Sequence, residues 1–313
     1  MSTMGKDAPS QSVNPFKDSE DGDTSADARK PAPQDSAAFQ FVRQLGLDLA
    51  KGEFDLPPFP DTALKVQECI RDPDGDVQSL AAIVATEPAL AARLMRMANS
   101  ALMRRGPMEV TDIPTAISRV GMDMVQNAAV SFAAREAFQA APGSPCIDDL
   151  NRLRRESVQI AAVAYVLSKE VSSIHKPDEA MLAGLLSAVG KYYIFMKASD
   201  HPELFANRES LESLVAQWHT GVARAIVESW NFPDSIAQGV DEQEVSERDR
   251  IQAADLSDIL HIACRIVRGG PGNLEAIGNA DALARMRMTG EKLAQQLHDN
   301  KDELQSMVEA LSG

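Results

Sequence analysis

The side chains that most often bind metals or act as nucleophiles are scattered through this chain of 313 residues. Histidines at helical pair spacing or in a His-Glu-x-x-His segment would predict a metal centre, and the five histidines form neither. The three cysteines are far apart and odd in number, which predicts neither a zinc site nor a disulfide framework. No serine lies in the Gly-x-Ser-x-Gly elbow of an acyl-transfer nucleophile. The residues concerned are His175, His201, His219, His261, His298, Cys69, Cys146 and Cys264.

The charge balance excludes further classes of function. The chain carries 31 Lys and Arg against 46 Asp and Glu, a net charge of −15. Binding to nucleic acid or to an anionic membrane needs clustered basic side chains, so we expect neither as a partner. The N-terminus lacks the apolar core of a secretory signal, and no apolar stretch approaches the ~20 residues that span a bilayer. Together with the unpaired cysteines, these features predict a cytoplasmic protein.

Apolar residues at one-turn spacing predict helices along most of the chain. Asp76 is suited to cap one helix and Pro88 to open the next, which Gly106-Pro107 would end. A further helix is expected to begin at Asp123 and to close at Pro142-Gly143. Since no segment alternates apolar and polar residues over the length of a strand, the predicted fold class is all-α, a multi-helix bundle in two halves.

Changes in composition predict the organisation of the chain. The predicted units are a disordered acidic and polar tail (1–35), a helical domain (36–268) with an N-terminal half (36–141) and a C-terminal half (146–268), and a C-terminal helical extension (273–313). In the extension, Leu297, Leu304 and Leu311 are spaced by seven residues, so this seam either packs back on the domain or pairs two chains into a homodimer. The acidic segment 241–250 is predicted to be an exposed loop.

An ordered series of short motifs resembles the HDOD family, the HD-related output domains of bacterial signalling proteins. The resemblance covers roughly Leu56 to Arg268. Each motif is weak alone, and the series in this order is specific. The positions that carry it are Pro57, Pro58, Pro60, Asn99, Ser100, Gly121, Trp230 and Pro233. The resemblance implies an HD-like helical fold.

The same resemblance relates the chain to metal-dependent phosphohydrolases of the HD superfamily. Those enzymes hold divalent ions with a His, an adjacent His-Asp pair and a later Asp, and the ions activate water and clamp a phosphoryl group. At the corresponding positions this sequence has Glu156, Ser187 with Ala188, and Cys264, although the surrounding pattern through Lys191 is kept. Because Ser and Ala do not replace His and Asp as ligands of a hard cation, we expect no catalytic residue, no metal and no cofactor.

These departures imply a non-catalytic module of bacterial signal transduction that binds other signalling proteins, near cyclic-dinucleotide or two-component pathways. One alternative is a metal-dependent phosphohydrolase or phosphodiesterase with altered ligands, drawn from Glu156, Asp255 and Asp258. Another is a small-ligand sensor that binds a nucleotide at a vestigial pocket near Lys191. The glycines Gly184 and Gly190 are expected to allow close helix packing, with the Lys191 side chain in solvent.

Three groups of basic residues run against the acidic total: Arg93 with Arg96, Arg104 with Arg105, and Arg152 with Arg154 and Arg155. They are expected to be solvated helix faces. The other interpretation is that they dock an acidic partner or a cyclic nucleotide.

Overall fold

In this computed structural model, the structure describes residues 37–51, 59–100, 103, 108–171, 174, 176–246, 248, 253–269, 277 and 281–312. The predicted tail (1–35), Pro57, Pro58, Arg104, Arg105 and the Gly106-Pro107 stop lie outside these residues. The described residues are helical and contain no strand, so the all-α prediction is confirmed. No helix among them is both long enough and apolar enough to cross a membrane.

The helices of the first half, with the long helix that follows them, are α1 (Ala37–Lys51), α2 (Asp61–Arg71), α3 (Val77–Ala85), α4 (Pro88–Ala98), α5 (Ile113–Val120), α6 (Met122–Ala137) and α7 (Ile147–Glu170). The remaining helices are α8 (Pro177–Leu186), α9 (Val189–Ala198), α10 (Pro202–Ala206), α11 (Arg208–Ser229), α12 (Asp234–Glu242), α13 (Leu256–Gly269), α14 (Asp281–Arg285), α15 (Gly290–Asp299) and α16 (Lys301–Ser312).

Local signals set several helix ends. The Asp76 carboxylate accepts a hydrogen bond from the Ser79 amide (2.8 Å) and caps α3, and Pro88 occupies the first turn of α4. The end of α4 was predicted too late: the helix stops at Ala98, because the Asn99 side chain bonds both the N–H (2.8 Å) and the C=O (2.9 Å) of Val110. That pair of bonds turns the chain back toward α5.

The predicted helix from Asp123 to Pro142-Gly143 is shorter at its end than expected. It begins at Met122, directly after Gly121, whose φ of 92° is a conformation that favours glycine. It ends at Ala137. The next residue, Phe138, has a non-helical backbone conformation, and its side chain is buried in the core.

Two large apolar clusters fill most of the interior of the described residues, beside a small third one, and α7 and α8 contribute to both large clusters. Leu150 and Leu153 of α7 belong to the cluster shared with α9 and α11 to α13, whereas Val158 and Ala161 belong to the one shared with α2 to α6. Because α7 and α8 pack against both clusters, these two helices join the N-terminal and C-terminal halves of the domain.

The C-terminal helices pack back on the domain. Met307 and Leu311 of α16 are buried in the cluster of the first half, and Leu293 of α15 is buried in the other cluster. Lys169 of α7 bonds Glu303 of α16 at 2.5 Å. The leucine seam thus has a partner within the same chain.

Candidate functional site

The positions at which the sequence departs from the HD ligand pattern lie on four helices or at their ends. Glu156 is in the middle of α7, Ser187 and Ala188 separate α8 from α9, Lys191 is in the first turn of α9, and Cys264 is on α13. The chain leaves the helical conformation after Leu186 and resumes it at Val189, so this region consists of two helices. The structure brings Glu156, Lys191 and Cys264 close enough for the charges of Glu156 and Lys191 to act on the Cys264 thiol.

Arg268 links the carboxylates of this region. Its Nε donates to Glu156 (2.5 Å) and its Nη1 donates to Glu244 (2.8 Å). Glu244 also lies 3.8 Å from the Lys191 ammonium and bonds the Nε2 of His219 at 2.8 Å. We call Glu156, Lys191, His219, Glu244 and Arg268 the central ion-pair network. It ties α7, α9, α11 and α13 together through the segment that follows α12.

Burial shapes the protonation of this network. Burial and the neighbouring Arg268 lower the pKa of Lys191. Burial lowers the pKa of His219 more than Glu244 raises it, so the ring is neutral at pH 7 and donates its Nε2–H to Glu244. Burial opposes the ionisation of Glu244, yet the His219 hydrogen bond and the charges of Lys191 and Arg268 bring its pKa down to about 2. The Glu244 carboxylate is therefore ionised at neutral pH, and it interacts with His219, Lys191 and Arg268.

Cys264 lies in a neutral hydrogen-bond chain beside the network. Its thiol contacts the Gln243 side-chain oxygen (3.4 Å), and the Gln243 amide donates to the backbone carbonyls of Ser187 (3.0 Å) and Val240 (2.7 Å). Burial raises the pKa of Cys264 to about 11, so it is a protonated thiol at neutral pH. Ala188, at the same junction, is almost fully buried.

The two aspartates considered as alternative ligands are bound to arginines. Asp255 bonds Arg248 (2.7 Å), and the buried Asp258 bonds Arg285 (2.5 Å) and Arg248 (3.3 Å). Their carboxylate oxygens already neutralise two guanidinium groups.

The residues present do not fit a divalent metal. Within the described ranges, no three His, Cys, Asp or Glu side chains form a group that could hold one. Instead, the carboxylates Glu156 and Glu244 face the cations Arg268 and Lys191. A metal ion placed among them would meet two positive charges and a protonated thiol.

Two expectations from the sequence were wrong here. Lys191 is not solvated, since only 14% of its side chain is exposed. The described residues of segment 241–250 do not form a simple exposed loop: Gln243 is 1% exposed, and Glu244 and Arg248 form the ion pairs described above. Sequence analysis missed Glu244 and Arg268 because nothing in their local sequence identifies partners on distant helices.

The glycines of this region have the predicted packing role. A Cβ on Gly184 would lie 2.5 Å from the Ala161 Cα, and one on Gly190 would collide with the carbonyl oxygen of His219. The close approach at Gly190 brings α9 against α11 and so places Lys191 near His219.

The other motif positions that the structure describes have structural contacts. Pro60 and Pro233 directly precede α2 and α12, and the Ser100 hydroxyl bonds the Met97 carbonyl at 2.7 Å. Trp230 is 5% exposed and packs on Phe59, with ring centroids 4.9 Å apart. These contacts explain the motif by packing and turn formation.

Comparison with known proteins agrees with this architecture. A sequence model of the HDOD domain matches residues 56–245, which is more than half of the chain. The chain belongs to the HDOD family. An HDOD domain protein of unknown function from Geobacter sulfurreducens is similar in structure, with a TM-score of 0.63, 18% identity, and coverage of 85% of this chain and 99% of that one.

Two further proteins are similar to this chain. A Shewanella amazonensis SB2B structure named "Putative metal-dependent phosphohydrolase" has a TM-score of 0.72 and 24% identity, and covers 88% of this chain and 99% of that one. An uncharacterized protein of Treponema pallidum (strain Nichols) is 22% identical over an alignment of 205 residues, and the match covers 62% of this chain and 38% of that protein. At these identities the solved structures show the fold alone, and this chain spans well under half the length of the Treponema relative.

Proposed function

We propose that this HDOD protein is a non-catalytic, cytoplasmic module of bacterial signal transduction that acts by binding other signalling proteins. The observation that carries the proposal is the position of Arg268, which bonds Glu156 (2.5 Å) and Glu244 (2.8 Å) where an HD enzyme would gather metal ligands. The guanidinium and the Lys191 ammonium supply the positive charge that a divalent ion would otherwise provide.

Replacement of a divalent ion by the two cations keeps the helices linked and removes the catalytic activity. A bound divalent ion both cross-links the helices that supply its ligands and lowers the pKa of a bound water. Arg268 and Lys191 supply the cross-link between helices, but neither cation activates water. The helical surface therefore stays rigid and available for recognition.

Hydrolysis of a cyclic dinucleotide with added Mn²⁺ tests this proposal. We expect no product above a protein-free control, with the wild type and Glu156→Gln indistinguishable. The matched control is Glu170→Gln, which removes an exposed carboxylate from the same helix. Hydrolysis by the wild type and Glu170→Gln that is lost in Glu156→Gln would overturn the proposal in favour of an HD enzyme with altered ligands.

The binding role needs a second experiment. Proteins of the native host are captured with the full chain and with a chain lacking residues 1–35. Mass spectrometry identifies the two sets of captured proteins, which are then compared. We expect the same partners with both chains, because the proposal assigns recognition to the helical domain. Partners that require residues 1–35 would transfer that role to the N-terminal segment.

A cavity beside the network favours the nucleotide sensor as a second candidate. Its volume is about 330 Å³, at the lower end of the range for small-molecule sites. The residues lining it include Arg152, Lys191, Phe195, Arg208, His219 and Glu244. Thermal unfolding with millimolar cyclic dinucleotides or nucleotides separates the candidates: a rise in Tm that Lys191→Met abolishes supports the sensor, and no rise contradicts it.

A further inference from the structure

A second cavity, of about 130 Å³, lies between α4, α6 and α7 and shares no lining residue with the cavity at the ion-pair network. Four arginines line it: Arg93, Arg135, Arg154 and Arg155, which we call the arginine pocket. We propose that the arginine pocket binds the phosphoryl group of a small phosphate-bearing ligand. The proposal is independent of the proposed function, since it concerns different residues.

The charges of the arginine pocket are not balanced by the protein. Among the residues that the structure describes, none of the four guanidinium groups forms a salt bridge, whereas Arg152, Arg208 and Arg268 all do. Of the nearby carboxylates, Glu156 is bound to Arg268, and Glu136 accepts a hydrogen bond from Gln139 and acts on Arg154 only through space, so one carboxylate stands against four guanidinium groups. The pocket therefore carries a net positive charge that an anion would neutralise.

Arg93 is the strongest sign of a missing partner. It is only 4% exposed, its Nη2 donates to the Ser131 hydroxyl (3.1 Å), and its buried Nε has no hydrogen-bond partner. Burial, with the like charges of Arg135 and Arg96, lowers its pKa to about 10. Burying an unpaired guanidinium is costly, so a site that keeps one is suited to an anionic ligand.

Neutral hydrogen-bonding groups complete the pocket. The hydroxyls of Ser157 and Tyr192 are 3.1 Å apart and both residues line the cavity, as does Asn151. Burial raises the pKa of Tyr192 to about 12, so its hydroxyl keeps its proton and donates it to Ser157, whose own hydroxyl donates to the Arg154 carbonyl (3.0 Å). Guanidinium groups bind phosphoryl oxygens through paired N–H donors, so the arginines supply the donors of the pocket.

The volume of the cavity indicates that it holds a phosphoryl group and not a whole dinucleotide. Sites for drug-sized ligands enclose about 300–1,000 Å³, so 130 Å³ has room for one oxyanion with its nearest waters. Arg135 and Arg155 are exposed at its edge, where the rest of a phosphate ester would extend into solvent.

Thermal unfolding of the full chain with inorganic phosphate tests the proposal, against sodium chloride at equal ionic strength. At about ten times Kd, mass action raises the Tm by about 3–6 °C for a domain of this size. We expect this rise in the wild type and its loss in the exposed double variant Arg135→Gln/Arg155→Gln. The matched control Arg43→Gln/Lys65→Gln removes two exposed charges elsewhere and keeps the rise. The Arg93→Met variant is also expected to show no rise in Tm with phosphate.

Several outcomes would overturn the proposal. No rise in the wild type at about 10 mM phosphate would do so, as would an equal rise in the double variant, because that is a general salt effect. A parallel titration with GMP identifies an ester as the ligand if it gives a larger rise than phosphate at the same concentration. Binding of a phosphoserine peptide with no response to phosphate or GMP would instead assign the surface to a protein partner.

Discussion

The central ion-pair network and the arginine pocket both place cations beside α7, but only the network supplies their counter-charges. Arg268 has Glu156 and Glu244 within 2.8 Å, and Lys191 has Glu244 at 3.8 Å. Arg93 is more deeply buried than either, and among the residues that the structure describes its only hydrogen-bond partner is a serine hydroxyl. Charges that are paired within the chain stabilise the fold, whereas buried charges without partners cost stability and favour a ligand.

The largest expected effect comes from disturbing the helix contact that positions the network. Gly190→Ala puts a Cβ against the His219 carbonyl oxygen, and a backbone oxygen cannot yield as a flexible side chain does. We expect the free energy of unfolding to fall by about 3 kcal/mol. Urea denaturation measures it. The control is Gly221→Ala on α11, where a Cβ meets nothing within 4 Å and stability should rise slightly.

Removing the paired cation is expected to cost less. Arg268→Met leaves Glu156 and Glu244 without their shared donor, and we expect a loss of about 2 kcal/mol in the free energy of unfolding. The estimate is reduced from the full value for a buried pair because Glu244 is 40% exposed. Arg43→Gln, an exposed arginine on α1, should change stability by under about 0.5 kcal/mol. Equal stability of Arg268→Met and the wild type would contradict the structural role of the network.

The pH dependence of stability reports on the network through His219. Burial lowers the His219 pKa in the folded state, so below about pH 6.5 the unfolded chain binds a proton that the folded chain does not. The free energy of unfolding therefore falls as the pH drops from about 7.5 to 5.5. The lowered pKa of Glu244, about 2, contributes only at more acidic pH.

The measurement is urea denaturation at both pH values for the wild type and two variants. His219→Gln keeps a donor for Glu244 and should weaken the pH dependence, whereas His298→Gln, at an exposed position on α15, should leave it unchanged. Part of the dependence should persist in His219→Gln, because burial also lowers the pKa of His261. An identical pH dependence in all three proteins would contradict the neutral, buried His219.

The smallest expected change in stability distinguishes the arginine pocket from the central ion-pair network most clearly. A substitution in the network lowers the free energy of unfolding, whereas the matching substitution in the pocket does not. In phosphate-free buffer, Arg93→Met removes an unpaired buried charge, so stability should be unchanged or higher by up to about 1 kcal/mol. Urea denaturation beside Arg268→Met gives the comparison directly. A loss as large as that of Arg268→Met would mean that Arg93 is satisfied within the fold.

Local sequence predicted the parts of the structure that depend on local physics. The cap at Asp76, the opening of α4 at Pro88 and the close packing at Gly190 follow from one residue and its neighbours. The partner of Glu156 could not be predicted, because Arg268 lies on another helix and ionic pairing has no sequence period. The arginine pocket likewise joins residues of three helices, which in sequence resemble ordinary solvated faces.

Metal content shows most directly whether the ion-pair network stands in the place of a metal centre. The wild type and Glu156→Gln are incubated with Mn²⁺, desalted and analysed by elemental mass spectrometry. We expect only trace metal, well below one ion per chain, and the same amount in both proteins. Stoichiometric Mn²⁺ in the wild type that is lost in Glu156→Gln would contradict it.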